Sequence, residues 1–103
     1  MELFYFNFNK QIMETSLMTG AYTAFNSKIS DDEKQIFERA TQGLHGVNYQ
    51  PIAVATQVVA GTNYKFFCNT KVTALKAITQ PAMITIFQPL KGEEHISSIE
   101  LCK

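Results

Sequence analysis

The chain has 103 residues, 46% of them apolar, 12% aromatic and 17% charged, which is enough to bury the core of one domain and too little for two. Nine Lys and Arg balance nine Asp and Glu, so no net field recommends this surface to a nucleic acid or an anionic membrane. No apolar run approaches the roughly 18 to 20 residues of a spanning helix, because Asn7 and Asn9 interrupt the segment that begins Leu3-Phe4-Tyr5-Phe6.

From Met1 to about Lys28 no hydrophobic period is sustained, and this stretch reads as an extended arm. A secretory signal would place basic residues before its apolar stretch, whereas here Glu2 comes first and Lys10 after, so a cytoplasmic protein is expected. Ser30-Asp31-Asp32-Glu33 is a capping box: the Ser30 hydroxyl can accept from the Glu33 amide while the Glu33 carboxylate accepts from the Ser30 amide, with acids where the helix dipole favours them. Behind it Ile36, Phe37, Ala40 and Leu44 fall on one stripe and Lys34, Glu38 and Arg39 on the other face, a helix that Gly43 and Gly46 should end.

After Gly46 the texture turns β-rich. Pro51 to Val59 and Thr62 to Val72, separated by Ala60-Gly61, predict a hairpin. In its second strand Tyr64, Phe66, Cys68, Thr70 and Val72 alternate with Lys65, Asn69 and Lys71, the pattern of a sheet covered on one face. Two further strands, Ala82 to Gln88 and His95 to Leu101, are joined by the loop Pro89-Leu90-Lys91-Gly92-Glu93-Glu94, and Gln80-Pro81 reads as the break before them. One helix and a four-strand meander, with the arm as a candidate fifth strand, give an α+β domain.

Chemistry-bearing constellations are sparse. His45 and His95 stand alone, Cys68 falls among apolar neighbours where a thiol packs rather than reacts, and the acids of Asp31-Asp32-Glu33 and Glu93-Glu94 suit a cap and a loop. No metal spacing or phosphate cradle is present, so neither cofactor nor metal is expected, and the chain does not read as an enzyme. In a meander a strand separates Cys68 from Cys102; at about 4.8 Å per strand their backbones lie near 10 Å, beyond the roughly 7 Å limit of a disulfide. Free thiols are therefore expected.

The tip of the first hairpin is the exception to this plainness. A turn chosen for stability carries Asn-Gly or Asp-Gly, but Gln57-Val58-Val59-Ala60-Gly61 puts two branched apolar side chains where solvent should be. Either the valines continue the strand and pack against the arm, or they form a protruding recognition edge.

Gln57-Val58-Val59-Ala60-Gly61 followed by Thr62-Asn63-Tyr64 resembles the signature hairpin of the cystatins, and of their stefin branch most closely. Met18-Thr19-Gly20-Ala21 is similar to the stefin amino-terminal Met-x-Gly-Ala, and Ile86-Phe87-Gln88-Pro89-Leu90 to the start of the stefin second hairpin. The likeness runs from Gly20 to about Leu101 and divides the chain into an arm, residues 1–17, and a cystatin-like domain, residues 18–103. It implies one helix wrapped by a four- to five-stranded antiparallel sheet, and reversible inhibition of papain-like (cathepsin-type) cysteine peptidases. Three segments would form a wedge in the peptidase cleft: the arm up to Gly20, with Leu17 and Met18 as candidate side chains; Gln57, Val58, Val59, Ala60 and Gly61; and Pro89 with Leu90. Secreted cystatins carry a Pro-Trp in the third segment, and this chain has no Trp. The implied mechanism is occlusion without chemistry. A monomer is expected, with a non-inhibitory interaction module as the alternative, including a dimer that exchanges its helix and first strand through the first hairpin.

Overall fold

A computed structural model describes residues 20–72 and 79–102. The arm over residues 1–17 and the candidates Leu17 and Met18 lie outside the described residues. The elements are helix α1 (Asp31–Thr41) and strands β1 (Val47–Val59), β2 (Gly61–Val72), β3 (Thr79–Gln88) and β4 (His95–Leu101). The strands form one antiparallel sheet in sequence order, so the chain is α+β with one helix and a four-stranded meander among the described residues.

The helix starts where its cap dictates. Ser30 Oγ accepts from the Glu33 amide at 3.1 Å and Glu33 Oε1 accepts from the Ser30 amide at 2.9 Å, satisfying two amides that would otherwise lack partners. It ends sooner than the apolar stripe suggests. The Thr41 hydroxyl donates back to Phe37 O at 2.8 Å, and the Gln42 amide turns to Arg39 O. Leu44 therefore lies beyond the helix, half-buried, instead of closing its stripe.

One face of the sheet carries the core. Val54 pairs with Phe66, Phe66 with Ile84, Cys68 with Ala82 and Tyr64 with Ile86, so these side chains share a face, and all but Ala82 join Ile36 and Phe37 of α1 in the core. Phe37 meets Phe66 edge-on at 4.9 Å between centroids. Phe66, Ile84 and Ile86 are fully buried, each contributing about 1.5–3 kcal/mol relative to exposure.

Three boundaries differ from the sequence reading. β1 begins at Val47, four residues early, with Val47 and Tyr49 half-buried and Asn48 and Gln50 exposed in proper alternation. It shifts register between Pro51 and Ala53, a bulge on an outer strand where a proline lacking N–H is tolerated. Pro81 does not break the chain but lies inside β3: it pairs with Asn69 on one side, and its carbonyl accepts from the Cys102 amide at 2.8 Å just past the end of β4. Of the candidate fifth strand, the described residues show one bridge, Asn26 with Val54.

Candidate functional site

At one end of the sheet two hairpins lie side by side. In the first, Val58 pairs with Thr62 and Val59 with Gly61, leaving Ala60 at the apex. Behind the tip the Asn63 side-chain amide donates to Gln57 Oε1 at 2.9 Å, a cross-strand tie that fixes both polar groups and holds the hairpin in shape. Gly61 is buried with φ +112°, a conformation that L side chains rarely adopt. A Cβ there would sit 2.5 Å from the Gln88 carbonyl oxygen and 3.0 Å from the Phe87 ring, so only glycine allows the first turn to press against the root of the second hairpin.

The second hairpin is organised from within and from the helix. Gln88 Nε2 donates to Gly92 O at 3.0 Å and to Pro89 O at 3.3 Å, closing the loop on itself. Arg39 of α1 donates through Nε (3.1 Å) and Nη2 (3.0 Å) to one oxygen of Glu94. Those hydrogen bonds hold the Glu94 carboxyl below the usual carboxylate range.

The arm approaches the same end. Asn26 exchanges two backbone bonds with Val54 (2.9 and 3.0 Å), while the Thr23 amide donates to Thr56 O and the Thr23 hydroxyl accepts from the Thr56 amide. The arm thus runs antiparallel to β1, and going back from Asn26 through Thr23 carries it towards the hairpin tip. Lys65 Nζ sits 4.1 Å above the Tyr22 ring and pins the arm to the sheet. Gly20 is exposed, has no positive φ, and a Cβ on it would meet nothing within 4 Å. Nothing among the described residues requires a glycine there.

Val58 is 68% exposed and Leu90 81%, and among the described residues no other large apolar side chain is exposed as much. Ala60 is exposed; Gln57, Val59 and Pro89 are half-buried. Of the two readings open for the hairpin valines, Val58 follows the protruding one, while Val59 is partly sheltered. Residues 57–61 carry no charge, so the tip of the first hairpin, with Leu90 exposed on the second, forms a preformed apolar ridge. Such a ridge can displace water from an apolar groove.

Cys68 is buried in the core and burial pushes its thiol up to about 12, the opposite of an activated nucleophile. Cys68 and Cys102 are both free, with β3 between them. His45 and His95 are exposed, and the His95 ring packs edge-on to Phe87 at 5.7 Å. Among the described residues no three of His, Cys, Asp and Glu gather as a metal site would require, and no helix is long and apolar enough to cross a membrane. A cleft of about 330 Å³ between α1 and the start of β1, with Ile29, Phe37, Tyr49 and Pro51 as its apolar lining and Lys34 and Glu38 at its charged side, lies away from the ridge: Pro51 to Val58 along the strand spans about 23 Å.

Sequence reasoning named the two hairpin segments but missed their fastenings. The Arg39–Glu94 pair spans 55 positions and has no local signal. The Gln57–Asn63 tie was within reach, since two amide side chains flank a short turn on facing positions. No family model matches the chain, and no curated protein shows significant similarity to it.

Proposed function

We propose that this chain is a stefin-like inhibitor with a cystatin-like fold, acting in the cytoplasm on papain-like cysteine peptidases by lying across their active-site cleft. The observation that carries the reading is the exposure of Val58 and Leu90 at the tips of two hairpins locked together through Gly61. Core packing does not account for apolar side chains so exposed, and a folded chain gains by burying them only on a partner. At about 1.5–3 kcal/mol per fully buried aliphatic side chain, Val58 and Leu90 together offer about 3–6 kcal/mol. Little is lost in ordering, because hydrogen bonds already fix both loops in the free chain.

The arm supports the same reading. Gly20 is a glycine that no described residue demands, and its lack of a side chain suits a chain passing close to another molecule's backbone. Gln57 to Gly61 would fill the cleft, Gly20 and the residues before it one side, and Pro89 with Leu90 the opposite rim. Without a Trp in the third segment, Leu90 is the side chain available for that contact. No bond is made or broken in this mechanism.

Titrating active papain with the purified chain tests the proposal. Stoichiometric, reversible inhibition with the inhibitor recovered uncut is the expected result. Absence of inhibition at micromolar concentration from a monomeric sample would favour the non-inhibitory module instead.

A further inference from the structure

The outer edge of β4 is open: β4 is the last strand of the sheet, and nothing among the described residues pairs with its far side. The other outer strand, β1, is partly covered by the arm through Thr23 and Asn26. Neither Lys nor Pro, two residue types that commonly guard such edges, occurs in His-Ile-Ser-Ser-Ile-Glu-Leu.

The sequence of this edge is complementary to itself. An antiparallel pairing of two copies about an axis between Ser97 and Ser98 sets Ile96 against Ile99, Ser97 against Ser98 and His95 against Glu100 of the second copy. Such pairing requires facing residues to lie on the same side of the sheet. In a regular strand Ile96 and Ile99, three apart, would lie on opposite sides. Here the register slips between Thr85 and Ile86, so that Ile86 faces Ile96 and Ile84 faces Ile99. Ile84 and Ile86 both point into the core, which puts Ile96 and Ile99 on that same face. His95, opposite Phe87, and Glu100, opposite Met83, lie together on the other side.

We propose that this edge joins two copies of the chain through β4, giving an isologous dimer with a continuous eight-stranded sheet. Ile99 and Leu101, 38% and 54% exposed at the end of β4, extend the apolar face to the seam, and each Ile99 gains the partner's Ile96 as a neighbour. On the reverse face an imidazole N–H meets a carboxylate, twice by symmetry. This edge is separate from the apolar ridge of Val58, so the proposal does not rest on the inhibitory reading.

Sedimentation equilibrium from about 1 µM to a few hundred µM is the test, since a short-edged interface belongs at the small, weak end of the range. The expected result is a mass that rises reversibly from 11.6 kDa towards twice that value. Ile99→Lys should abolish the rise. Glu100→Lys, on an exposed position that the fold does not use, should weaken association about two- to thirtyfold, the effect of two cross-strand pairs. The swapped variant His95→Glu/Glu100→His should restore it. A chain monomeric throughout would overturn the proposal and make the bulge a guard against pairing. So would a dimer that survives both Ile99→Lys and Glu100→Lys and does not dissociate on dilution, the signature of strand exchange through the first hairpin.

Discussion

Replacing Gly61 with alanine probes the joint between the two hairpins with a single methyl group. At φ +112° a residue with a Cβ costs about 1–3 kcal/mol in backbone strain. The added carbon would lie 2.5 Å from the Gln88 carbonyl oxygen, which is backbone and cannot swing aside, and 3.0–3.1 Å from two atoms of the Phe87 ring. Relief requires β3 to shift away from the turn, an overpacking cost of about 1–3 kcal/mol. Gly61→Ala should therefore lose about 2–6 kcal/mol, a large fraction of the 5–15 kcal/mol available to a small domain. Thermal unfolding followed by circular dichroism should show the midpoint falling by at least about 8 °C. The same shift would part Val58 from Leu90, so the surviving folded fraction should inhibit papain less well. A variant within about 0.5 kcal/mol of the parent, the scatter of neutral surface changes, would refute the close approach of the two hairpins.

Two other predictions concern the fastenings and the core. Arg39→Ala should leave global stability nearly unchanged, because Arg39 is half-exposed, while speeding amide exchange in the loop from Pro89 to Glu94. Since the Glu94 carboxyl is held below its ordinary value of 4.5, its contribution is present above that pH and lost as the pH falls through the lower folded value. Acid should therefore loosen the loop in the parent chain and make no further difference in Arg39→Ala; an acid response identical in both would contradict the ion pair. Native-state alkylation should modify Cys102 and spare Cys68, whose thiol is buried and raised to about 12. Because the folded value lies above the ordinary 9.0, this thiol's contribution to stability is complete below that pH and declines as the pH rises from there towards 12. Equal labelling of both cysteines in the folded chain would be inconsistent with the core described.

The parts of the fold legible in the sequence are those decided by neighbours. The capping box of Ser30 and Glu33 and the alternation from Tyr64 to Thr70 are local signals, and the structure reproduces both. Punctuation by proline misled at two places, because Pro51 lies on an outer strand and Pro81 lies where β4 has run out, so neither needs the N–H that it lacks. Leu44 fitted the helical stripe, but Gln42 and Gly43 close the helix first. At the candidate site the uncharged tip Gln57 to Gly61 was legible as a run. That Gly61 answers to Gln88, and Glu94 to Arg39, depends on contacts between distant segments that only the folded chain reveals.

The most direct test of the proposed function compares papain titrations by the parent chain and by Val58→Asp. Val58 is exposed in the free chain, so the substitution should leave folding intact, while docking would bury an unpaired carboxylate at a cost of about 3–5 kcal/mol, a loss of about two to nearly four powers of ten in affinity. Tight inhibition by the parent, reduced in the variant by about two to nearly four powers of ten, is the result expected. Equal inhibition by both chains, or none by either, would contradict the claim that this ridge fills a peptidase cleft.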